Sequence, residues 1–527
     1  MTYTTGAEVA DPAAELRAHY SHREILEILS ALLLALLTAM ISSTVISTAL
    51  PTIVGALGGQ DQLSWVASAA LLTMTVSTPL WGKLSDLFGR KLMFQSALVA
   101  FVAGSLMAGF APSIGLLIAG RAIQGLGAGG MYSLTQVILG DIVEPRERGR
   151  YAGYTGAVFG VATVAGPLLG GFIVDTSWLG WRWCFFICVP LAGVAFAVIQ
   201  RKLDLPLVKR AARIDWFGAG TVTGGAAALM LLLSMGGQEY AWASRWTYGL
   251  GALSAVLFVL AIVAERRAAE PILPPRLFRD RTFVLTSVAS LFTGMSMYCV
   301  MIYMPQYLQI VKRMTPTASG LMTLPMVIGL LVASIGSGRV VTVTGRWKAF
   351  PVAGLLLVGA GMVALSRIHV GTGGVVIGAD LAVVGIGIGL SMQILILAAQ
   401  NAVRPADMAS ATSGVAFFRA LGGALGVAAF GAILTGRLRD EMSALLRAAH
   451  LRGAGGGGAS VDLGAPESIN RLPAPILHIV HESFTRAMET VFLAAVPVTL
   501  LGFLAVVALK ELPLRSARSK VRLDPDS

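Results

Sequence analysis

About fourteen stretches of this chain run for roughly 18 to 25 residues with almost no charge, each long enough to cross a hydrocarbon layer about 30 Å thick as a helix. They begin near Ile25, Leu63, Leu92, Ile114, Tyr151, Trp183, Trp216, Trp246, Phe283, Thr317, Phe350, Val376, Ala411 and Thr490. A bilayer core offers backbone N–H and C=O groups no water. Only helices or closed barrels cross it, and uninterrupted apolar runs lack the alternation of barrel strands. The expected fold is therefore an all-α integral membrane protein. Composition agrees: 55% of residues are hydrophobic and 13% charged, against roughly 25% charged in a soluble domain. The 61 glycines suit helices that approach one another closely in a membrane.

A formal net charge of +12 could point to nucleic acid, but its distribution assigns it to topology and excludes that partner. With the N-terminus in the cytoplasm, the short inner loops hold Lys83, Arg90, Lys91, Arg146, Arg148, Arg150, Arg201, Lys202, Lys209, Arg210, Arg213, Arg266, Arg267, Arg276, Arg279, Arg281, Arg346 and Lys348. The outer loops hold little beyond Arg182, Arg245, Lys312 and Arg313. The positive-inside rule demands this asymmetry, and an even span count puts both termini inside. The first apolar segment is too long for a cleaved signal peptide and is expected to stay as an anchor. Cys184, Cys188 and Cys299 all fall in apolar spans, which argues against a disulfide frame or a zinc site.

A cytoplasmic segment (1–24) precedes a first block of six spans (25–201). A basic linker and two inserted spans (202–281) lead to a second block of six (282–510), and a cytoplasmic tail (511–527) follows. The second block includes a long loop outside the membrane (436–485) with the glycine run Gly453 to Gly458. That run is a flexible linker and not a phosphate cradle, because no lysine with Ser/Thr follows it. His478 and His481 lie there at i, i+3, too few ligands for zinc, and no metal or cofactor is expected. An internal echo supports the two blocks. Gly82-Lys-Leu-Ser-Asp-Leu-Phe-Gly89-Arg90-Lys91 follows span two, and Gly338-Arg-Val-Val-Thr-Val-Thr-Gly345-Arg346 follows span ten, both with glycines seven apart and an arginine after the second. Parallel repeats of this kind build many transporters, with the substrate site at their interface near the midplane.

Three motifs carry mechanism. In Gly82 to Lys91 the glycines permit a tight turn, and Asp86 can form an ionic latch with Arg90 or a helix N-terminus, closed in one conformer and released in another. This loop matches the signature of the major facilitator superfamily. Arg121-Ala-Ile-Gln124-Gly125-Leu-Gly-Ala-Gly129-Gly130 resembles that superfamily's second motif. A charge within a span marks a functional site by default, and the other reading has Arg121 capping carbonyls or pairing with an acid to hold its half together. Span five holds Gly156, Gly160 and Gly166-Pro167-Leu-Leu-Gly170-Gly171, which resembles the motif of the antiporter branch. There a kinked, tightly packed helix forms a rocking surface.

Further along, Asp141 with Arg146 to Arg150, Trp181 to Pro190, Ile214 to Gly218, Glu270 to Pro274 and Phe418-Arg419-Ala-Leu-Gly-Gly423 extend the likeness. From span one to Lys510 the chain resembles the fourteen-span drug:proton antiporter family of EmrB/QacA type. That resemblance implies the major facilitator fold, with two six-helix halves plus two inserted helices. It also implies export of amphipathic drugs, dyes or antibiotics, or in some members lipids, across a bacterial inner membrane by alternating access, driven by inward proton flow and performed by a monomer. Export of a lipid or cell-envelope precursor on the same scaffold, and a facilitator without proton coupling, are the alternatives. An ATP-driven pump is disfavoured by the missing P-loop, and an enzyme by the lack of a catalytic cluster at one depth.

One departure stands out. Where the family has an acid in span one, the run Ile41-Ser42-Ser43-Thr44-Val45-Ile46-Ser47-Thr48-Ala49-Leu50-Pro51 has Ser42, which cannot carry a proton near neutral pH. Asp380, one turn into span twelve, is the acid placed to do so, with Arg121 as its helper; alternatively Asp380 is solvated near the outer surface or pairs with Arg367. Substrate contact is expected from Ser42, Ser43, Thr44 and Ser47 in span one and from Met297, Tyr298 and Met301 in span nine. Methionine and tyrosine make an adaptable wall for apolar ligands, and packing against lipid explains some of them equally well.

Overall fold

The computed structural model describes residues 22–57, 63–143, 147–176, 178–203, 215–236, 241, 243–268, 271, 274–404, 407–448 and 473–514. Its elements are helical. The first half contains α1 (His22–Leu57), α2 (Leu63–Phe88), α3 (Arg90–Gly109), α4 (Ile114–Ile142), α5 (Arg148–Asp175), the short α6 (Trp183–Phe186) and α7 (Cys188–Lys202). Two peripheral helices follow, α8 (Trp216–Met235) and α9 (Arg245–Arg267). The second half contains α10 (Arg281–Ile310), the short α11 (Pro316–Met322), α12 (Leu324–Thr344), α13 (Ala349–Leu365), α14 (Gly374–Ala402), α15 (Met408–Ala448) and α16 (Ala474–Val507). Among the described residues, eleven helices are long and apolar enough to cross a membrane.

Helix starts follow local chemistry. Asp215, Ser244, Asp280 and Thr315 each accept a backbone N–H from the first turn of the helix that follows, satisfying donors the helix cannot pair itself. At the basic end of the bundle two turns need a glycine: Gly89 between α2 and α3 has φ +91°, and Gly345 after α12 has φ +71°. These are the second glycines of the internal echo, and a side chain at either would clash with its own backbone.

The two halves repeat one packing pattern. In the first, α1 packs on α5 and α7, while α4 packs on α2 and α3. In the second, α10 packs on α15 and α16, while α14 packs on α12 and α13. Across the junction α2 meets α15 and α5 meets α12, a reciprocal exchange related by the same pseudo-twofold. The helices α8 and α9 pair with each other, and α8 rests on α2 and α15. Leu253, Val256, Val259 and Ile262 of α9 are exposed, as a lipid-facing helix requires.

The loop expected at 436–485 is shorter at both ends. α15 continues through Gly436 to Ala448 and α16 begins at Ala474. Leu434, Leu438 and Met442 face Ile476, Val480 and Phe484 in one apolar cluster, so the two helices stay packed beyond the span. The charges at Arg437, Arg439, Asp440 and Glu441 gave this stretch its loop-like look, yet they lie on the outer faces, where Glu441 pairs with Arg486 at 3.4 Å. His478 and His481 are therefore helical, and the glycine run lies outside the described residues.

Candidate functional site

At the basic end an ionic cluster joins three helices. Arg90 of α3 reaches Asp86 of α2 at 2.7 Å and Asp141 of α4 at 2.7 Å, and also donates to Ser85 at 2.6 Å. One turn before Asp86, Gly82 packs on the other half: a Cβ there would meet Ser413 Cβ at 2.8 Å and the Ala409 carbonyl at 3.2 Å. Close by in sequence, Gly140 of α4 faces Gln400 and Met408. A second cluster was not foreseen: buried Asp407, just before α15, pairs with Arg276 and with Arg404 at 3.1 Å. The acid lies in a connection and not in a span, so the sequence offered no signal beyond its flanking arginine.

Higher in the first half, Arg121 of α4 is 4% exposed. Its Nη1 donates to Gln124 Oε1 at 2.6 Å and its Nε to the Val66 carbonyl at 3.3 Å. Gln124 in turn donates to Ser42 at 2.9 Å and Ser105 at 2.8 Å, tying α4 to α1 and α3. No carboxylate pairs with Arg121 among the described residues, so Ser42 ends a chain that begins at an uncompensated cation. Such a cation in a span costs about 3 kcal/mol. We expect Ser42→Asp to raise the melting temperature, since a carboxylate two hydrogen bonds from Arg121, through Gln124, offsets that cost. Ser42→Leu should lower it by stranding the Gln124 amide, a loss of about 1–3 kcal/mol. Thermal melts in detergent check this, and equal falls for both variants would contradict it.

A pocket opens where α5 meets the second half, lined by Gly160, Met297, Met301, Met326, Val327, Leu330, Ile388 and Met392. Its wall is wholly apolar, with four methionines. Met297 and Met301, two of the residues expected to contact substrate, line this small cavity. Tyr298 does not line it; its ring packs on Gly423 of α15. Met326 and Met392 went unnoticed because only the fold brings α12 and α14 to α10.

The span-one hydroxyls divide. Ser42 is buried in the Arg121 network, and Ser43 is exposed. Thr44 donates to the Ala162 carbonyl of α5 at 3.2 Å and shares that hydrogen with Met40 and Ile41 carbonyls. The side chain of Ser47 lies outside the described residues. Opposite Thr44 stands Gly166, where a Cβ would overlap Thr44 Oγ1. Gly156 and Gly160 face Leu330 and Val327 of α12, so α5 packs tightly on both halves. Gly170 is buried, whereas Gly171 has open space before it and takes no part in this packing. The helix runs unbroken through Pro167, whose side chain is not among those described. Asp380 lies almost two turns into α14, half-buried and without an ionic partner among the described residues, so no pairing with Arg367 is formed.

One buried charge was named only as part of a family-like run. Arg419 of α15 is 4% exposed, and its Nη1 and Nη2 have no hydrogen-bond partner among the described residues. Its guanidinium lies 5.5 Å from the centre of the Tyr132 ring of α4, across the junction between halves. The rule that singled out Arg121, a charge inside an apolar run, applies equally here.

Comparison with known proteins places this architecture. The profile of the Major Facilitator Superfamily matches residues 32–427. An uncharacterised MFS-type transporter of Mycobacterium tuberculosis is 39% identical over 466 residues, covering 88% of this chain, which spans 66% of that protein's length. The multidrug transporter protein MdtP of Bacillus subtilis is 32% identical over 488 residues, covering 89% of this chain and 90% of its own. Among solved structures, the human organic anion transporter MFSD10 superposes with a TM-score of 0.60 at 16% identity, covering 92% of this chain and 99% of the other. The proton:xylose symporter XylE does so with a TM-score of 0.60 at 15% identity, covering 93% and 95%. With its repeated halves, apolar helices and matching profile, the chain belongs to the major facilitator superfamily and is a multi-pass membrane transporter, not an enzyme.

Proposed function

We propose that the protein is a fourteen-span exporter of hydrophobic or amphipathic compounds, acting as a monomer by alternating access in exchange for protons. The observation that carries this reading is the methionine-lined pocket at the junction of the halves. Unbranched thioethers reshape at low cost around ligands of different outline, as a promiscuous exporter needs. One relative named a multidrug transporter protein and another named a multidrug resistance protein support the substrate class. The glycines of α5 at the junction, and the basic cluster at one end, support rocking about that pocket. On this reading the basic end and both termini face the cytoplasm, the membrane is a bacterial inner membrane, and the exposed apolar helices contact lipid.

Coupling is assigned to Asp380, the half-buried acid of α14, in concert with Arg121, because Ser42 leaves span one without a proton carrier. Everted vesicles holding the protein should dissipate an imposed proton gradient when an amphipathic drug is added, and Asp380→Asn should abolish the response. Coupling that survives in the variant removes Asp380 from the role. A wild type that moves drugs without protons establishes the facilitator that Ser42 favours. Lipid export without any drug response establishes the lipid exporter instead.

A further inference from the structure

We infer that the substrates of this carrier include amphiphiles with an anionic group, a carboxylate or phosphate, held by Arg419 beside the methionine-lined pocket. This rests on the pocket being the transport site.

Three observations bring the groups together. Gly294 of α10 lies against the Arg419 backbone, and a Cβ there would also meet Arg419 Cγ at 3.2 Å. Met297, three residues further along the same helix, lines the pocket, so the stem of Arg419 crosses α10 one turn from it. The bond from Gln400 Nε2 to Thr412 Oγ1, 3.1 Å long, fixes the antiparallel register of α14 and α15. Counting seven residues from each partner brings Gln393 to the depth of Arg419. Both side-chain polar atoms of Gln393 lack partners among the described residues, the residue is 5% exposed, and its neighbour Met392 lines the pocket. On α4, Tyr132 faces the guanidinium, and Ser133 Oγ and Gln136 Nε2, the latter one turn on from Tyr132, are buried without partners among the described residues.

The result is a donor-rich patch beside an apolar one. Among the described residues its only formal charge is positive, that of Arg419. Among the described residues the nearest acid along α14 is Asp380, thirteen positions or about 20 Å from Gln393, and along α4 it is Asp141, nine positions or about 13 Å from Tyr132. A guanidinium offers a planar fork that binds a carboxylate or phosphate through two parallel hydrogen bonds. Free amide N–H groups at the same depth extend that recognition, and the methionines take the apolar body. The face of Tyr132 keeps the guanidinium oriented when no anion is bound.

The test uses the purified full-length protein and two probes that differ by one charge, 1-pyrenebutanoate and its methyl ester, with binding read by fluorescence. Wild type should bind the acid roughly 10- to 100-fold more tightly than the ester, the range expected for hydrogen bonds to a charged group. Arg419→Gln should erase that preference while leaving ester affinity within about twofold, and ester binding also reports that the variant is folded. Arg419→Lys should keep part of the preference, and should Arg419→Gln fail to fold, this variant decides. Equal affinity of wild type for acid and ester overturns the inference. So does a parallel loss of both probes in folded Arg419→Gln, the mark of a guanidinium that only clamps the halves, or a folded Arg419→Lys without preference. A pyrene-labelled phosphatidic acid, compared with phosphatidylcholine, separates the sources: preference for it that Arg419→Gln erases assigns the anion to a lipid headgroup, and preference for pyrenebutanoate alone assigns it to a free acid. Binding needs neither transport nor protons, so the vesicle assay can fail while this result stands.

Discussion

Gly166→Ala will destabilise the protein and abolish transport, and adding Thr44→Gly to the same chain will restore a large part of both. The added Cβ has nowhere to go, because Thr44 Oγ1 and Cβ already occupy its volume. Thr44 cannot turn aside cheaply either, since its hydroxyl is committed to the Ala162 carbonyl one turn before Gly166. Overpacking of this kind costs about 1–3 kcal/mol, and in a helix pair that slides during transport the cost recurs in every conformer that brings the two together. Thr44→Gly alone loses the link between α1 and α5 and carries the helix penalty of glycine, about 1 kcal/mol. The double variant should therefore be more stable than Gly166→Ala and less stable than wild type. Melting temperature and vesicle uptake measure both effects. A Gly166→Ala variant that behaves as wild type, or a double variant no better than the single, would show that the two helices have slack here.

Arg90→Ala should open the basic end. The guanidinium joins Asp86 and Asp141, and Gly82, one turn from Asp86, is the residue that seats α2 on Ser413 and Ala409 of the opposite half. Without Arg90 two partly buried carboxylates face each other and push the end of α2 away from α4. Removing one partner from a fully buried ion pair costs about 3–5 kcal/mol. These side chains retain 14 to 23% of their exposure, so a shift of about 1–3 kcal/mol, or roughly 5- to 150-fold in conformer ratio, is the expected size. A cysteine at Ser413, buried under Gly82, should react with a water-soluble maleimide at least tenfold faster in the Arg90→Ala background, in keeping with that shift of roughly 5- to 150-fold. Asp141→Asn should have a smaller effect in the same direction. Unchanged labelling would make the cluster a local brace and not a latch.

Much of the fold was legible because a bilayer leaves few choices. Apolar length marks the helices, and basic loops mark one end. The spacing from Gly82 to Arg90 pointed to the turn at Gly89 and to the Asp86–Arg90 pair, whereas only the fold brings Asp141 to it. A charge inside an apolar run singled out Arg121, and the methionine run of α10 includes two residues of the pocket lining, but the hydrogen bonds from Arg121 through Gln124 to Ser42 and Ser105 appear only in the fold. What stayed hidden depends on contacts between distant segments. Nothing in the neighbourhood of Tyr298 says that Gly423 lies behind it, and nothing near Asp407 announces Arg276. The stretch from Gly436 to Ala448 read as loop because its charged face dominates the composition, while Leu434, Leu438 and Met442 keep the helical stripe that packs on α16. Gly171 resembles its neighbours in the motif, yet only the arrangement of α5 decides which glycines touch another helix.

Alternating access is tested most directly by two distances measured in the same molecules. Spin labels at Phe88 and Arg346 report the basic ends of the two halves, and labels at Phe110 and Val375 report the opposite ends, all four positions being exposed. Adding an amphipathic substrate or changing pH should redistribute each pair between a short and a long distance, with the two pairs moving in opposite senses. Distances that stay fixed, or that lengthen and shorten together, would contradict a carrier that rocks about a central pocket.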